Sequence, residues 1–376
     1  MVSFNAMTDE FYMKKALALA ARARGMTSPN PMVGAVLVKN GKVISEGYHK
    51  KAGTPHAEVI AIEEAGERAR GATLYVSLEP CCHKEKRTPP CTRKIISSGI
   101  KKVVIAMNDP NPRVSGKGAA ELETAGIKVV SGVLGERAAA LNEFYIKYIT
   151  TGMPFVVLKV AMTLDGKIAT PEGESKWITG EKARTAVHDL RGSVDAILTA
   201  IGTIKADNPR LTCRTGDDRD PARVIIDPSL EIRPDSNVLC IPPETIIAMR
   251  KTEETGGAGT AIREKRRVLL GRGAHIIEYV GEKVDMKWLM KQLGGMGIIS
   301  VLVEGGSSLN AYCLENGIVD KVMFFIAPKI IGGKNSFPAV GGRSFRRLEE
   351  AYRINNIAVK RIGEDILIEG YIHNHS

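Results

Sequence analysis

The fold and chemistry of the first half are decided by Pro55-His56-Ala57-Glu58, followed by Glu79-Pro80-Cys81-Cys82 and Pro89-Pro90-Cys91. One imidazole and two thiolates can hold a zinc ion and leave its fourth position for water, which a catalytic zinc needs. Zinc lowers the pKa of such a water to about 7. A carboxylate placed as Glu58 is can carry the proton without being a ligand. The segments therefore predict a hydrolytic zinc site.

Two other interpretations of these segments remain open. A structural zinc needs a fourth protein ligand, which Cys82 or His83 could supply. A structural zinc would not explain why a carboxylate is found at Glu58. Ordinary buried residues would not explain the order of the segments. His-x-Glu followed by Pro-Cys is the pattern of zinc-dependent nucleobase deaminases, although those acting on polynucleotides usually have Pro-Cys-x-x-Cys.

The composition favours a globular protein with two domains, which we place at residues 1–150 and 151–376. The chain has 376 residues, is 44% hydrophobic and 25% charged, and carries a net charge of +11, which suits phosphorylated small molecules as well as nucleic acid. Its six cysteines form no disulfide framework, and we expect no signal peptide or membrane span, so the predicted location is the cytoplasm.

Strands and helices alternate along the first half. Asp9–Arg24 has helical spacing, Asn40-Gly41 predicts a hairpin between Ala35–Lys39 and Lys42–Tyr48, and His56 and Glu58 begin a further helix. Such alternation is typical of α/β domains with a mostly parallel sheet. The loops at 49–58, 79–91 and 108–113 should then meet at one edge.

Several motifs of the first half resemble the deaminase half of the bifunctional riboflavin-biosynthesis deaminase/reductase family. They are Asn30-Pro-x-Val-Gly, His49, His56-Ala-Glu58, Glu79-Pro-Cys81, Thr88-Pro-Pro-Cys91 and Asp109-Pro-Asn111-Pro. The resemblance implies a three-layer α/β/α fold like that of cytidine deaminase, acting on a diaminopyrimidine that carries ribose phosphate. It implies Zn2+ ligands His56, Cys81 and Cys91, proton shuttle Glu58, and substrate contacts Asn30, His49, Arg87 and Asn111.

The loop between the two ligand cysteines departs from the family's pattern. Nine residues separate Cys81 from Cys91, one more than that pattern has, and Cys82 replaces a frequent Ser. Cys82 therefore remains an alternative zinc ligand to Cys81.

The second half begins after Gly152-Met153-Pro154 and again alternates strands and turns. Thr179–Arg191 is predicted as a helix capped by Thr179, and Thr252–Thr260 as a polar loop. A strand from Val301 ends in Gly305-Gly306-Ser307-Ser308, whose backbone N–H groups could bind phosphate, although a plain turn is commoner. There is no Gly-x-Gly-x-x-Gly fingerprint of a classical dinucleotide fold.

These segments, with Leu164-Asp-Gly-Lys, Ser175-Lys-Trp-Ile-Thr, Asp207-Asn-Pro and Leu211-Thr-x-Arg214, resemble the reductase half of the same family. The resemblance implies a fold like dihydrofolate reductase, NADPH as cofactor, and reduction of the ribosyl chain to ribityl. NADPH would be lined by Ala161, Trp177, Thr203, Asp207, Gly306, Ser307, Ser308, Leu309 and Asn310. The substrate would be held by Ser175, Arg191, Leu211, Arg214 and Glu304, and Lys159 or Asp165 would handle protons.

The leading hypothesis is thus a zinc deaminase joined to an NADPH-dependent reductase, acting on one phosphorylated pyrimidine as a homo-oligomer. Two alternatives remain: a deaminase with a non-catalytic second domain, and a nucleic-acid-binding zinc protein. The second lacks support because aromatic residues make up 5% of the chain and form no platform with basic ones.

Overall fold

The structure is a computed structural model that describes residues 8–82, 89–214, 219–252 and 256–372. The chain forms two compact units, which divide between Gly152 and Met153. Within the described ranges, no helix has the length and apolar character required to cross a membrane.

The first unit is built from alternating strands and helices. Residues Gly66–Ala69 continue its second helix as a 3-10 turn. The elements are α1 (Asp9–Ala21), β1 (Gly34–Lys39), β2 (Lys42–Tyr48), α2 (Ala57–Ala65), β3 (Thr73–Val76), α3 (Cys91–Ser97), β4 (Lys102–Ile105), α4 (Lys117–Thr124), β5 (Lys128–Ser131), α5 (Gly135–Leu141) and α6 (Glu143–Thr151).

The five strands form one sheet in the order β2-β1-β3-β4-β5. β1 pairs antiparallel with β2 and β3, whereas β3, β4 and β5 run parallel. The hairpin at Asn40-Gly41 is confirmed, since both residues have positive φ, as its tight turn requires. The sheet is therefore mixed: the antiparallel β1–β2 pair follows from the predicted hairpin, whereas the antiparallel pairing of β1 with β3 departs from the mostly parallel sheet expected.

Apolar residues cover both faces of this sheet, which makes three layers. Alternate strand residues such as Leu37 and Leu74 face Ala61 of α2, and the residues between them, such as Val36, face Met13 of α1. Helix α2 lies close to β2 because Gly47 has no side chain: a Cβ there would lie 2.4 Å from the Ala57 carbonyl oxygen. That close approach places the start of α2, with His56 and Glu58, beside the sheet.

The second unit contains a larger sheet with helices. It also has 3-10 turns at Asn237–Leu239 and Leu348–Glu350. Its elements are β6 (Phe155–Thr163), β7 (Lys167–Ala169), α7 (Glu181–Ser193), β8 (Ala196–Ala200), α8 (Ile201–Asp207), β9 (Ala222–Ile226), β10 (Thr245–Arg250), α9 (Gly256–Gly271), β11 (Ala274–Tyr279), α10 (Met286–Gly295), β12 (Ser300–Val303), α11 (Ser307–Glu315), β13 (Lys321–Ala327), β14 (Phe337–Pro338), β15 (Asn355–Ile362) and β16 (Asp365–Tyr371).

The large sheet has the strand order β11-β10-β9-β8-β12-β6-β13-β16-β15, and β7 pairs separately with β14. All neighbours from β11 to β13 are parallel, while β16 is antiparallel to both β13 and β15. Parallel strands bring their carboxyl ends to one edge, so the segments that follow β6, β8, β12 and β13 lie at the same edge.

Two local predictions for this unit were wrong. Helix α7 begins at Glu181 with Gly180 at its N-cap, and no side chain caps it, so Thr179 is not the cap. Residues 256–260 of the predicted Thr252–Thr260 loop instead lie in α9, which begins at Gly256, and residues 253–255 lie outside the described residues. Glycine and threonine are weak helix formers on their own, and the longer helical pattern after residue 260 overrides them.

Candidate active sites

The first unit brings His56, Cys81 and Cys91 together. His56 is the N-cap of α2, Cys91 begins α3, and Cys81 follows β3. The Nδ1 atom of His56 lies 3.1 Å from Cys91 Sγ and 3.6 Å from Cys81 Sγ. All three ligand atoms lie within 4.8 Å of one another. Three elements far apart in sequence thus converge on one point.

This cluster fits zinc in both ligand type and spacing. A tetrahedral zinc with its usual bonds to nitrogen and sulfur separates its ligand atoms by about 3.5–3.8 Å, close to the distances above. The backbone N–H of Cys91 also points to Cys81 Sγ at 3.5 Å, which favours a thiolate there. A hydrogen bond with Cys81 and burial raise the pKa of the Cys91 thiol well above its usual value. A bound cation would reverse that shift.

Cys82 is not part of this cluster. Within the described residues, the group of potential ligands contains Cys81 and not its neighbour. Burial and the carboxylates of Glu121 and Glu79 raise the pKa of the Cys82 thiol. His83, the other proposed fourth ligand of a structural zinc, lies outside the described residues. The described geometry therefore supports three protein ligands.

Glu58 lies beside the cluster, in the first turn of α2, and is 3% exposed. Burial raises the pKa of its carboxyl group, the negative charge of Cys81 adds to this, and His56 and a hydrogen bond with Cys91 oppose it. The carboxyl group therefore lies next to the ligands in a setting where it can accept and hold a proton.

Two predicted substrate contacts, Asn30 and His49, lie next to the cluster of His56, Cys81 and Cys91. His49 Nε2 is 3.4 Å from Asn30 Nδ2, and His49 Nδ1 is 3.2 Å from the Pro55 carbonyl oxygen. The His49 and His56 rings meet edge to face, with centroids 5.4 Å apart. Asn30, at the start of the segment that leads to β1, thus reaches the zinc side of the unit through His49.

Of the other two predicted substrate contacts, Asn111 is described by the structure and Arg87 is not. Asn111 lies in the segment between β4 and α4, where its N–H donates to Asp109 Oδ1 at 2.9 Å. Its own Oδ1 accepts the Arg113 N–H at 3.0 Å. Arg87 lies outside the described residues, so its assignment stays a prediction.

In the second unit, Glu304, which directly follows β12, meets Lys159 in the middle of β6 and Arg191 on α7. Arg191 on α7 holds the carboxylate with two parallel bonds of 2.6 and 2.8 Å, and Lys159 Nζ lies 3.0 Å from Oε2. Although burial opposes ionisation, the two cations hold the pKa of Glu304 well below its usual value. Two of the predicted substrate residues therefore form one buried ionic group with Lys159.

A histidine that sequence reasoning missed extends this group. His188 Nδ1 lies 3.2 Å from the Thr212 carbonyl oxygen, which also accepts a bond of 3.2 Å from Arg191. Burial lowers the pKa of His188, and the charges of Arg191 and Arg214 lower it further. His188 and Arg191 are three residues apart on α7, so they share a face; that spacing was the available signal. Buried Leu211 precedes Thr212.

Among the predicted cofactor residues, Ala161 lies within β6, Trp177 lies between β7 and α7, and Thr203 and Asp207 lie on α8. Lys176 Nζ forms an ion pair of 3.2 Å with Asp207 Oδ1, which ties the 175–177 segment to the end of α8. The Trp177 indole is 64% exposed, and the Arg184 guanidinium lies 4.7 Å from its centroid. Neighbouring predicted residues are half-buried or exposed at the surface of this region: Ala161, Ser175 and Thr203.

The Gly306–Asn310 segment opens α11 in a form that suits a phosphorylated cofactor. Gly306 is its N-cap, and no side chain caps the first-turn N–H groups. Asn310 is buried and donates to the Ala339 carbonyl at 2.8 Å, but its Oδ1 has no hydrogen-bond partner among the described residues. Ser307, Ser308 and Leu309 fill the turn between them. Open N–H groups, an unsatisfied amide oxygen and an exposed indole fit NADPH.

Asp165 holds a turn. Its carboxylate accepts the Thr163 hydroxyl at 2.6 Å and the Gly332 and Ile331 N–H groups at 2.7 and 3.2 Å. The Thr163 hydrogen bond, followed by that of Gly332, lowers the pKa of Asp165 to about 2. Asp165 therefore carries no proton at neutral pH, which leaves Lys159 as the better candidate for proton handling.

Family models match both units. The model described as the cytidine and deoxycytidylate deaminase zinc-binding region matches residues 6–107, and that of the RibD C-terminal domain matches residues 154–368. These ranges contain the two clusters described above.

Whole proteins resemble the chain along nearly its full length. It is 44% identical to the riboflavin biosynthesis protein RibD of Actinobacillus pleuropneumoniae, covering 98% of this chain and 96% of that protein. For RibD of Aquifex aeolicus the identity is also 44%, covering 96% and 97%.

Solved structures agree in fold. RibD of Acinetobacter baumannii superposes with a TM-score of 0.87 at 36% identity, covering 97% of this chain and 99% of that one. A Thermotoga maritima protein superposes with a TM-score of 0.84 at 38% identity and the same coverage. That protein is named a diaminohydroxyphosphoribosylaminopyrimidine deaminase/5-amino-6-(5-phosphoribosylamino)uracil reductase.

Proposed function

The chain belongs to the RibD family of bifunctional riboflavin-biosynthesis enzymes, with a zinc-binding deaminase domain and an NADPH-using reductase domain. From this family membership we propose its substrates and the residues that act on them. The first unit deaminates a diaminopyrimidine that carries ribose phosphate, and the second reduces the ribosyl chain of the product to ribityl. The name of the Thermotoga relative, which contains both substrates, supports this assignment. A non-catalytic second domain and a nucleic-acid-binding zinc protein are not favoured by these relatives.

In the deaminase, His56, Cys81 and Cys91 would hold the zinc, which when bound would supply Lewis acidity for attack by water on the ring carbon that bears the amino group. Glu58 takes a proton from the attacking water and delivers it to the departing amine, which leaves as ammonia. Its raised pKa supports this role, because the carboxyl group can hold the proton between the two transfers. Asn30, His49, Arg87 and Asn111 orient the substrate.

In the reductase, NADPH supplies the hydride. Its binders are Ala161, Trp177, Thr203, Asp207 and the turn at residues 306–310. Arg191 and Glu304 form a rigid charged surface against which the sugar lies. Lys159, whose Nζ is 3.0 Å from Glu304, donates the proton. Ser175, Leu211 and Arg214 complete the substrate site, where the positive charges of Arg191 and Arg214 suit the phosphate.

The single observation that carries the proposal is the convergence of three zinc-type ligand atoms within 4.8 Å, with a buried carboxyl group beside them. The direct test is to supply purified, zinc-loaded enzyme with the diaminopyrimidine phosphate and NADPH. Ammonia should be released without NADPH, and NADPH should be oxidised only after deamination. Oxidation of NADPH by the undeaminated substrate would contradict the assigned order.

We also propose a cytoplasmic homo-oligomer that acts on this small molecule and not on nucleic acid. All six cysteines are free, which suits a reducing compartment. Ile357 and Val359 on the outer strand β15 are 59% and 63% exposed, as an interface between copies would favour. Light scattering should give a multiple of the 40.7 kDa chain mass, and binding of single-stranded DNA or tRNA should be absent.

A further inference from the structure

Glu79 of the Glu79-Pro80-Cys81 segment has no part in the chemistry above, yet it is 3% exposed. Its Oε2 accepts the backbone N–H groups of Asp109 at 3.1 Å and Gly116 at 2.9 Å, and its Oε1 accepts that of Ala119 at 3.1 Å. The carboxylate therefore connects the segment that leads from β3 to Cys81 with both ends of the 109–119 segment. We call these three hydrogen bonds of Glu79 the tie.

One end of this tie is the start of α4. Gly116 is the N-cap of that helix and has no side chain to satisfy the first-turn N–H groups. Glu79 instead accepts the N–H groups of Gly116 and Ala119 from another part of the chain, and its negative charge lies where the helix dipole favours an anion. The tie thus fixes where α4 begins.

The other end of the tie leads to Asn111. Asp109, whose N–H is held by Glu79, uses its Oδ1 to accept the Asn111 N–H and the Tyr145 hydroxyl, both at 2.9 Å. The Asn111 carbonyl in turn accepts the N–H groups of Val114 and Ser115 at 2.8 and 2.9 Å. Asn111 is therefore fixed by a short chain of hydrogen bonds that starts at Glu79.

The tie is also sterically tight. A Cβ on Gly118 would lie 2.1 Å from the Pro80 carbonyl oxygen and 3.1 Å from Glu79 Oε1. Pro80 directly precedes Cys81, so α4 contacts the backbone beside a predicted zinc ligand. Only glycine allows this approach, which shows that the fold keeps the 109–119 segment against the zinc side of the unit.

We propose that Glu79 is a positioning residue of the deaminase. Its carboxylate holds the 109–119 segment, and with it Asn111, in a fixed position relative to the zinc ligand Cys81. The inference rests on the proposed function, in which Asn111 contacts the substrate. Glu79 itself touches neither substrate nor metal. Its loss should therefore weaken substrate binding and leave zinc content and the chemical step largely intact.

Glu79→Gln is the sharpest variant, because the amide has the same shape but only one oxygen to accept the three N–H groups, and its NH2 group would face a donor. In full-length, zinc-loaded enzyme we expect the deaminase KM to rise about tenfold, the loss expected when bonds to a charged group are broken. The deaminase kcat and reductase activity should stay within about twofold of wild type. Hydrogen exchange should quicken in residues 109–119.

Two further variants make the test specific. Glu121→Gln changes a carboxylate on the same helix, which accepts the Thr92 hydroxyl at 3.0 Å, but leaves the N–H groups bound to Glu79 untouched; its KM should match wild type. Tyr145→Phe removes the hydroxyl that holds Asp109 from the other side. Its KM should rise by a smaller factor, about threefold. That variant keeps the test open if Glu79→Gln does not fold.

The outcomes separate this inference from the proposed function. Wild-type KM and wild-type exchange in both Glu79→Gln and Tyr145→Phe would overturn the inference while the deaminase stands. Loss of zinc from Glu79→Gln, with kcat falling in parallel, would overturn it in favour of metal support. If the wild-type enzyme itself does not deaminate, the proposed function fails. Hydrogen exchange in residues 109–119 would then still test the inference: an unchanged rate in Glu79→Gln would refute the structural role of Glu79, and a faster rate would support it.

Discussion

The two units each bury one glutamate at the centre of a site, and the two carboxyl groups are shifted in opposite directions. Glu58 is 3% exposed and Glu304 is 9% exposed. Burial beside thiols raises the pKa of Glu58. Burial also disfavours the charge of Glu304, but Lys159 and Arg191 outweigh it and lower that pKa.

This contrast shows that partners, and not burial, decide what a buried carboxyl group can do. Among the described residues Glu58 forms no salt bridge with a lysine or arginine, and burial favours its protonated form. Glu304 has the Lys159 and Arg191 side chains at 2.6–3.0 Å, and their charges hold its carboxyl group in the ionised form. One glutamate is suited to catalysis and the other to anchoring.

The largest expected effect is on Glu58. Glu58→Gln should lower the deaminase kcat by about a thousandfold, within the range found for loss of a general acid–base group. Zinc content, measured by metal analysis, and reductase activity should not change, because the glutamine keeps the shape and the second unit is separate. Near-normal deamination by this variant would refute the difference in role between the two glutamates.

The next effect is on stability. Glu304→Gln leaves Lys159 and Arg191 as buried charges without an anion, and we expect the free energy of unfolding to fall by about 3 kcal/mol. Both tryptophans, Trp177 and Trp288, are in the second unit, so their fluorescence during chemical denaturation reports on it.

A matched control for this variant is Glu278→Gln. Glu278 pairs with Arg266 at 3.0 Å, but both side chains are 29% exposed. Its loss should cost less than about 1 kcal/mol, because solvent screens such pairs. Equal losses from the two variants would show that the Glu304 group is not the buried anchor described above.

The same pair of variants predicts a pH dependence. The folded pKa of Glu304 lies below its ordinary value of 4.5, so its contribution is complete above that pH and is lost as the pH falls below it. The stability gap between wild type and Glu304→Gln should therefore narrow on acidification below about pH 4.5. A gap that widened there would mean that Glu304 is not the anion. Denaturation curves at several pH values decide between these outcomes.

The smallest expected effect is on substrate affinity in the reductase. Arg214 is exposed but lies near enough to lower the pKa of His188, beside Arg191. Arg214→Ala should raise the reductase KM about fivefold, roughly 1 kcal/mol of binding. Deaminase activity should stay normal. Arg233→Ala, which removes an exposed arginine paired with Asp235, is the control and should change neither activity. A parallel fall in both activities would mean that the sites are not independent.

Much of the fold followed from local patterns. Residues Lys42–Tyr48 form a strand with the predicted bounds, because an alternating run between turn residues leaves little choice. The antiparallel strands β13, β15 and β16 were not identified, and α7 starts later than predicted. The pairing of β13 with β16 joins segments distant in sequence, and the start of a helix without a side-chain cap leaves no short-range signal. The β15–β16 hairpin does have a local signal, the Gly363-Glu364 turn, which sequence reasoning missed.

The ligand types, the nearby carboxylate and the order of motifs could be inferred from the amino-acid sequence, because each motif, such as His56-Ala57-Glu58, is a run of a few adjacent residues. Which groups become partners across the chain depended on the folded arrangement. Glu304 meets Arg191 from 113 residues away, and Glu79 meets Ala119 from 40. Such contacts follow from how strands are ordered and helices packed, and they set whether a buried carboxylate moves a proton, anchors a cation or holds a loop.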